Sequence, residues 1–235
     1  MAKRAGGESL AVMVYEQLRS AILNGERQPG ERLKPGDLGE QYGVSLSVVR
    51  EALGLLGAKD LVQVDRNRGF HVTPLSLRAL NDLTEARVVN EGAAIRLSVE
   101  RGGVTWESEV LAAHHRLSVQ PMLLPGAHLR RNEEWAVAHL AFHRTLIEAC
   151  GNAVLLDICA RLSDAAEVYR AWSATGTQQM HRDVAGEHKG LMDAALAHDA
   201  DAAETLFAAH VRRTQQILLD GGLAPAADRP ATETA

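Results

Sequence analysis

The stretch that most constrains the fold is YGVSLSVVREALGLL, residues 42–56. A short helical segment ends at Gly43, the residue type that most easily adopts the left-handed conformation that closes a helix. Ser45 or Ser47, both of a cap-forming type, then begins an apolar-periodic segment that runs to about Lys59. This order predicts the turn and second helix of a helix-turn-helix, which places one helix in the major groove of DNA.

The segments around this stretch complete a winged helix-turn-helix. An apolar stripe predicts a helix from Leu10 to Leu23, and Pro35 suits the first position of a short helix that ends at Tyr42. Behind the central stretch, alternating apolar residues flank the polar turn 65–69, which is a hairpin signal. Basic side chains at the tip of such a wing contact phosphates or the minor groove.

The outward, N-terminal positions of the central helix are the ones that reach base edges or phosphates. The fork of Arg50 suits a bidentate contact with guanine or phosphate. The alternative is that Arg50 pairs with Glu40 or Glu51 on a solvated face. The residues that we assign to DNA contact are Lys34, Ser45, Leu46, Ser47, Arg50, Arg66, Arg68 and Gly69. Those predicted to face inward are Val48, Val49, Ala52, Leu55 and Leu56.

The charge distribution permits DNA binding without proving it. The net charge is −5 overall, but residues 1–73 carry ten Lys/Arg against nine Asp/Glu, so basic side chains are relatively concentrated there. No apolar run approaches the roughly 18 residues of a membrane span, and no signal peptide is evident. Cys150 and Cys159 do not form a disulfide framework, and we expect a cytoplasmic protein with two buried, reduced thiols.

Residues 10–73 resemble the DNA-binding domain of the GntR family of bacterial transcription regulators. The resemblance rests on LRSAILNG (18–25), PGERL (29–33), GVSLSVVREAL (43–53) and RNRGFHV (66–72). Arg50 and Gly69 match the family pattern, whereas Leu46 stands where the family usually has arginine and Val48 where it often has proline. Loss of that arginine implies a different DNA affinity or operator sequence.

After Thr73-Pro74 only helical stripes are evident, broken by Gly, Pro and Asn. They predict helices over 76–101, 105–119, 126–150, 152–174, 177–198 and 200–220. The predicted fold class is mainly α, an N-terminal winged helix-turn-helix (8–74) followed by an all-α helical bundle (75–221). The tail 222–235 is rich in Ala, Pro and Thr and is predicted to be disordered.

Histidine carries the chemistry of the helical part. His139 and His143 are four residues apart and share one helix face, and His188 and His210 lie on two further apolar-periodic helices. Four imidazoles from three helices suit Zn, Ni, Cu or Fe in a bundle core. The alternative is that each histidine only lies at the boundary of an amphipathic helix.

Residues 77–219 resemble the FCD ligand-binding domain of the FadR-like branch of GntR regulators. The matching segments are LTEARVVNEGAAIRLS (83–98), FHRTLIEACGN (142–152), EHKGLMDAALAHDA (187–200) and AETLFAAHV (203–211). In many members an Asp and three His hold a divalent metal, which implies His143, His188 and His210 here. His139 occupies the Asp position, so the site is either a four-histidine centre, best suited to Zn or Ni, or one that is weakened or empty. We expect the four-histidine centre, because imidazole reaches further than aspartate.

The same resemblance places Arg87 against the pocket of the sensor domain. Arg87 would clamp a carboxylate of an effector bidentately, and the alternative is an i, i+4 ion pair with Glu91. We favour the clamp. Trp135, Tyr169 and Trp172 are either pocket walls or core, and core is the preferred interpretation.

The expected function is a homodimeric, ligand-responsive repressor that binds a double-stranded operator and a small carboxylate effector. A metal-dependent enzyme that uses the four histidines is the alternative, but HLAFH (139–143) lacks the glutamate that serves as general base in HExxH enzymes. A metal or metabolite buffer that does not bind DNA is the third interpretation.

Overall fold

The computed structural model describes residues 2–65, 69–125, 130–174 and 182–220. The chain divides into two compact units, one up to Asn81 and one over Asp82–Gly221. This division falls within a helix, whereas the predicted boundary lies after Pro74. The predicted tail 222–235 lies outside the described residues. Among those that are described, no helix is both long enough and apolar enough to cross a membrane.

The first unit is a winged helix-turn-helix, as predicted. Helix α1 packs on α3, and the strands form an antiparallel sheet of order β1-β3-β2. Strand β1 was not predicted, because two residues are too few to show alternation. The elements are α1 (Ala2–Leu23), β1 (Arg32–Leu33), α2 (Pro35–Tyr42), α3 (Leu46–Gly57), β2 (Val62–Asp65) and β3 (Gly69–Val72).

The inward face of α3 is rotated slightly from the predicted one. Val49, Ala52, Leu53 and Leu56 are buried at the spacing i, i+3, i+4, i+7. The prediction for Leu55 was wrong, since it is 41% exposed. Leu53, which lies one turn after Val49, is buried where Leu55 was predicted to be.

The second unit is a helical bundle, as predicted, with one short two-stranded ladder. Its elements are α4 (Leu77–Arg101), α5 (Val104–Ser118), β4 (Leu123–Leu124), β5 (Arg130–Arg131), α6 (Glu133–Glu148), α7 (Ala153–Ala174), α8 (Val184–Leu196) and α9 (Ala200–Asp220). The prediction that α6 begins at Gly126 was wrong. It begins at Glu133, because the Asn132 side chain accepts a hydrogen bond from the Glu134 amide and caps it.

The bundle core holds α6, α8 and α9 in fixed positions. Helix α5 packs on α6 and α8, and α8 packs on α9. Phe142, Leu191 and Phe207, from α6, α8 and α9, are almost completely buried in one cluster. The Trp106 indole on α5 donates to the Thr145 carbonyl on α6 over 2.8 Å. Other core residues include Tyr169 and, as predicted, both cysteines.

Candidate functional site

The turn between α2 and α3 has the geometry that the sequence predicts. Gly43 has φ 64° and ψ 34°, the left-handed conformation, and ends α2. Ser45 is the N-cap residue of α3, but its side chain makes no capping hydrogen bond. Its hydroxyl instead lies 2.9 Å from the hydroxyl of Ser47.

The N-terminal end of α3 presents its side chains to solvent. Ser45, Leu46, Ser47 and Arg50 are all exposed. Within the described parts of the chain, the Arg50 guanidinium has no ion pair with Glu40 or Glu51. The solvated-pair alternative for Arg50 therefore has no support from this geometry.

The remaining residues assigned to DNA contact lie before α2 and on the wing. Lys34 precedes α2, is 60% exposed and lies 3.6 Å from Asp37. Asp65 of β2 pairs with Gly69 of β3, and Gly69 has a φ of 80°. Arg66 and Arg68 lie outside the described residues.

The four predicted histidines lie together inside the bundle. One ligand-type nitrogen from each of them lies within 4.8 Å of the corresponding nitrogens of the others. All four side chains are buried, and their ring centroids are 4.5 to 6.2 Å apart. Nε2 of His139 and Nε2 of His143 are 3.1 Å apart. These residues are His139 and His143 on α6, His188 on α8 and His210 on α9.

The environment keeps these imidazoles neutral. Burial lowers the pKa of His139, His143 and His210 below the ordinary value and that of His188 to about 2, and the histidines disfavour charge on one another. Neutral imidazole is the form that binds metals.

The donor set fits a divalent transition metal. Two nitrogen ligands of a tetrahedral site with Zn–N of about 2.0–2.1 Å lie roughly 3.3 Å apart. The 3.1 Å between the His139 and His143 nitrogens is close to that value. Nε2 of His188 is buried without a hydrogen-bond partner among the described residues. A metal ion would satisfy a nitrogen of this kind, which is otherwise costly to bury.

A carboxylate and an arginine orient one of the four rings. His210 Nδ1 lies 2.7 Å from Glu187 Oε2, and Glu187 accepts a 2.8 Å hydrogen bond from Arg182 Nε. Burial alone would raise the pKa of Glu187, but its hydrogen bonds to Arg182 and His210 lower it to about 2. An ionised Glu187 accepts a hydrogen bond from Nδ1–H of His210 and leaves Nε2 of that ring unprotonated.

The predicted clamp residue Arg87 is occupied. Its Nε and Nη2 donate to the two carboxylate oxygens of Glu91 over 2.6 and 3.0 Å, and both side chains are buried. The i, i+4 ion pair is therefore present. An effector carboxylate could accept hydrogen bonds from Nε and Nη2 of Arg87 only if it displaced the Glu91 carboxylate.

A second buried charge group lies on β5 and α7. Glu167 forms ion pairs with Arg131 and Arg170. Burial alone would raise the pKa of Glu167, but the two guanidiniums lower it to about 2. Nη1 of Arg131 is buried without a hydrogen-bond partner among the described residues. That nitrogen is a donor available to an anion.

Two cavities border the histidine cluster. One of about 520 Å³ reaches His143 between α6 and α7, with Glu91 and Ser163 in its wall. The other, of about 530 Å³, reaches His188 and is lined by Trp135, Arg182 and neighbouring residues. Each is large enough for a small metabolite.

Sequence reasoning missed several residues of this site. Trp135 is a pocket wall and not plain core, because its ring stacks on His139 at 4.6 Å and lines a cavity. Glu187 could have been found from its position beside the predicted ligand His188. Arg131 and Arg182 carry no local signal. The side chain of Trp172 lies outside the described residues.

Comparison with known proteins agrees with both units. Residues 10–72 match the model "Bacterial regulatory proteins, gntR family", and residues 82–213 match the model "FCD domain". The chain is 36% identical over 219 residues to the HTH-type transcriptional regulator BphR of Paraburkholderia xenovorans, covering 93% of this chain and 89% of that protein. It is 34% identical over 200 residues to the HTH-type transcriptional repressor GlaR of Escherichia coli, covering 84% and 90%.

Solved structures show the same fold. The structure of McbR/YncC from E. coli superposes with a TM-score of 0.67 at 21% identity, covering 90% of this chain and 97% of that one. Within the matched FCD region, the HLAFH segment has no glutamate to serve as the base of an HExxH enzyme. By these matches the chain belongs to the GntR family of bacterial regulatory proteins with an FCD domain, and it is a DNA-binding transcriptional regulator.

Proposed function

We propose that the second unit is a metal-containing sensor whose occupation by a small carboxylate controls operator binding by a homodimer. The observation that carries this proposal is the four-histidine cluster, whose buried ligand nitrogens lie within 4.8 Å of one another. Such a cluster is costly to bury without an ion.

The metal that suits His139, His143, His188 and His210 is Zn, with Ni as the alternative. Four neutral imidazoles provide nitrogen ligands and no charge, which disfavours Mg or Ca. A bound ion of this kind supplies a Lewis-acidic centre that attracts an anionic oxygen. Glu187 accepts a hydrogen bond from Nδ1 of His210 and is itself held by Arg182, which leaves Nε2 as the proposed ligand nitrogen of that ring.

We propose that buried guanidinium groups attract the effector carboxylate. Arg87 carries charge toward His143, but its donors already bind Glu91. We propose that Arg87 contributes electrostatic attraction, or a clamp after Glu91 is displaced. Arg131 Nη1, a buried donor without a partner among the described residues, suits a direct contact.

The first unit binds DNA through α3 and the wing. The proposed contacts are those assigned from the sequence: Lys34, Ser45, Leu46, Ser47, Arg50, Arg66, Arg68 and Gly69. Two winged units of a homodimer would bind the two halves of a pseudo-palindromic operator, because two-fold protein symmetry requires a matching DNA symmetry. A regulator of a bacterial chromosome acts in the cytoplasm.

Effector binding would release the operator by favouring one arrangement of the dimer. A differential affinity of about 1–3 kcal/mol between two arrangements gives a 5- to 150-fold change in DNA affinity. The segment 73–80, between wing and bundle, is the proposed route of this coupling.

The test is a thermal-shift screen of small carboxylates on the full chain, followed by gel shifts on the promoter of its own gene. A ligand of the folded state raises the melting temperature by mass action. We expect to find a carboxylate that raises the melting temperature of the metal-loaded protein and weakens the gel shift. The rise in melting temperature should be smaller after chelation and in Arg131→Gln. A carboxylate that acts equally on metal-free protein would contradict the role of the metal.

A further inference from the structure

An apolar side chain stands at the point where α3 meets DNA. Leu46 is the first residue of α3 and is 51% exposed. Its Cδ2 lies 4.0 Å from the point where a β-carbon on Gly39 of α2 would stand, so the leucine lies close to α2 at the N-terminal edge of the helix.

The neighbours of Leu46 on this end of the helix are polar and also exposed. The hydroxyls of Ser45 and Ser47 lie 2.9 Å apart, and Arg50 follows one turn later. This end of the helix thus combines hydrogen-bonding groups with one leucine that neither donates nor accepts. An exposed leucine gains free energy in the major groove only where a base presents an apolar group.

The 5-methyl of thymine is the apolar group that bases present in the major groove. We propose that Leu46 contacts a thymine methyl in each half of the operator and selects thymine at that position. This inference depends on the DNA-binding function of the family and is independent of any metal or effector.

The first experiment selects binding sequences from random duplex DNA with the full-length chain. Three proteins are compared: wild type, Leu46→Ala, and the control Leu55→Ala, which removes the same side chain from the far end of α3. We expect wild type and Leu55→Ala to enrich a thymine that Leu46→Ala does not. Enrichment of no such thymine by the wild type would overturn the proposal.

The second experiment replaces that thymine by deoxyuridine, which removes only the methyl group. We expect wild type and Leu55→Ala to bind the uridine duplex about fourfold more weakly, the effect of exposing one methyl-sized apolar group. Leu46→Ala should bind both duplexes equally, and its folding is checked by its melting curve. Equal affinity of the wild type for both duplexes, or an unchanged preference in Leu46→Ala, would overturn the proposal.

Discussion

At the scale of single residues, Arg50 is the side chain that we expect to contribute most to DNA binding. It is exposed at the N-terminal end of α3 and has no carboxylate partner among the described residues. We predict that Arg50→Ala weakens operator binding by about 5- to 150-fold, since a bidentate contact contributes about 1–3 kcal/mol. Fluorescence anisotropy on the selected operator measures this.

Arg116→Ala is the matched control for Arg50→Ala, because it removes the same charge from an exposed position on α5 of the second unit. It should leave DNA affinity nearly unchanged. Equal losses in the two variants would mean that only net charge matters, and the proposed register of α3 would be wrong.

Glu187 is predicted to tune the metal site without binding the metal. Its carboxylate lies 2.7 Å from Nδ1 of His210. Loss of an outer-shell partner of this kind typically weakens metal binding 10- to 100-fold. We therefore expect Glu187→Gln to lower Zn affinity by that factor in a competition titration with a chromogenic chelator.

Asp193→Asn provides the comparison for Glu187→Gln. Asp193 lies on the same helix, is exposed and pairs with Lys189 over 2.6 Å. Unchanged Zn affinity in Glu187→Gln, or an equal loss in Asp193→Asn, would remove Glu187 from the account of the site.

The candidate site was predictable from the sequence as far as its histidines. His139 and His143 share one helix face by spacing alone, His188 and His210 lie on two further apolar-periodic helices, and the family resemblance supported all but His139 as metal ligands. The partners of these rings were not predictable in the same way. Arg182 meets His210 across 28 positions of the chain, and such a contact depends on how helices pack and not on any local pattern.

At the scale of secondary-structure elements, the turn between α2 and α3 depends on Gly43. Its φ of 64° is a conformation that a side chain disfavours, and nothing lies within 4 Å of a β-carbon built there. Gly43→Ala should therefore lower the free energy of unfolding of the first unit by about 1–2 kcal/mol through backbone strain alone. Hydrogen exchange of α2 and α3 amides measures this.

Gly36→Ala is the control on the same helix. Gly36 also has open space around a β-carbon but no positive φ. Alanine there should be neutral or stabilising by about 0.5–1 kcal/mol. If both variants lose equal stability, the left-handed turn is not what Gly43 provides.

His198, which lies just after α8, is predicted to make the stability of the protein depend on pH. His198 Nδ1 lies 2.8 Å from the Val99 carbonyl and Nε2 lies 2.9 Å from Glu107. Only the protonated ring donates from both nitrogens, and these bonds to Glu107 and Val99 raise the pKa of His198. The stabilisation that the protonated His198 ring provides is fully present below the pKa that this histidine has in the unfolded chain, about 6.5. It is lost as pH rises through the higher pKa of His198 in the folded protein.

Comparison with His198→Asn tests this pH dependence. Asn tolerates the φ of 53° at this position and does not titrate. Melting temperatures are measured from pH 6 to 9. The advantage of the wild type over the variant should shrink as pH rises, and a constant difference would contradict the proposed protonation.

Element boundaries were predictable where a residue type marks them. Helix α9 has the predicted bounds, and Gly43 ends the helix before the turn. The predicted start of α6 was seven residues early, because the β4–β5 ladder is too short to produce alternation. The choice of Leu55 over Leu53 as a core residue failed because three leucines lie within four residues of α3, and only Leu53 and Leu56 keep the i+4 and i+7 spacing from the buried Val49.

At the scale of the whole molecule, the chain joins a DNA-binding unit to a helical sensor. Both family models match, each within one of the two compact units, and the boundary between units falls inside α4. The proposed switch then requires only that an effector prefer one arrangement of the dimer by a few kcal/mol. Everything in that proposal depends on an occupied histidine centre.

Metal content of the full-length protein tests this centre most directly. Elemental analysis is performed on wild type, His188→Ala and His115→Ala, an exposed histidine on α5 outside the cluster. We predict about one transition metal, chiefly Zn, per chain in wild type and His115→Ala, and almost none in His188→Ala. Folded, operator-binding wild type that contains no metal and still responds to a carboxylate would contradict the account.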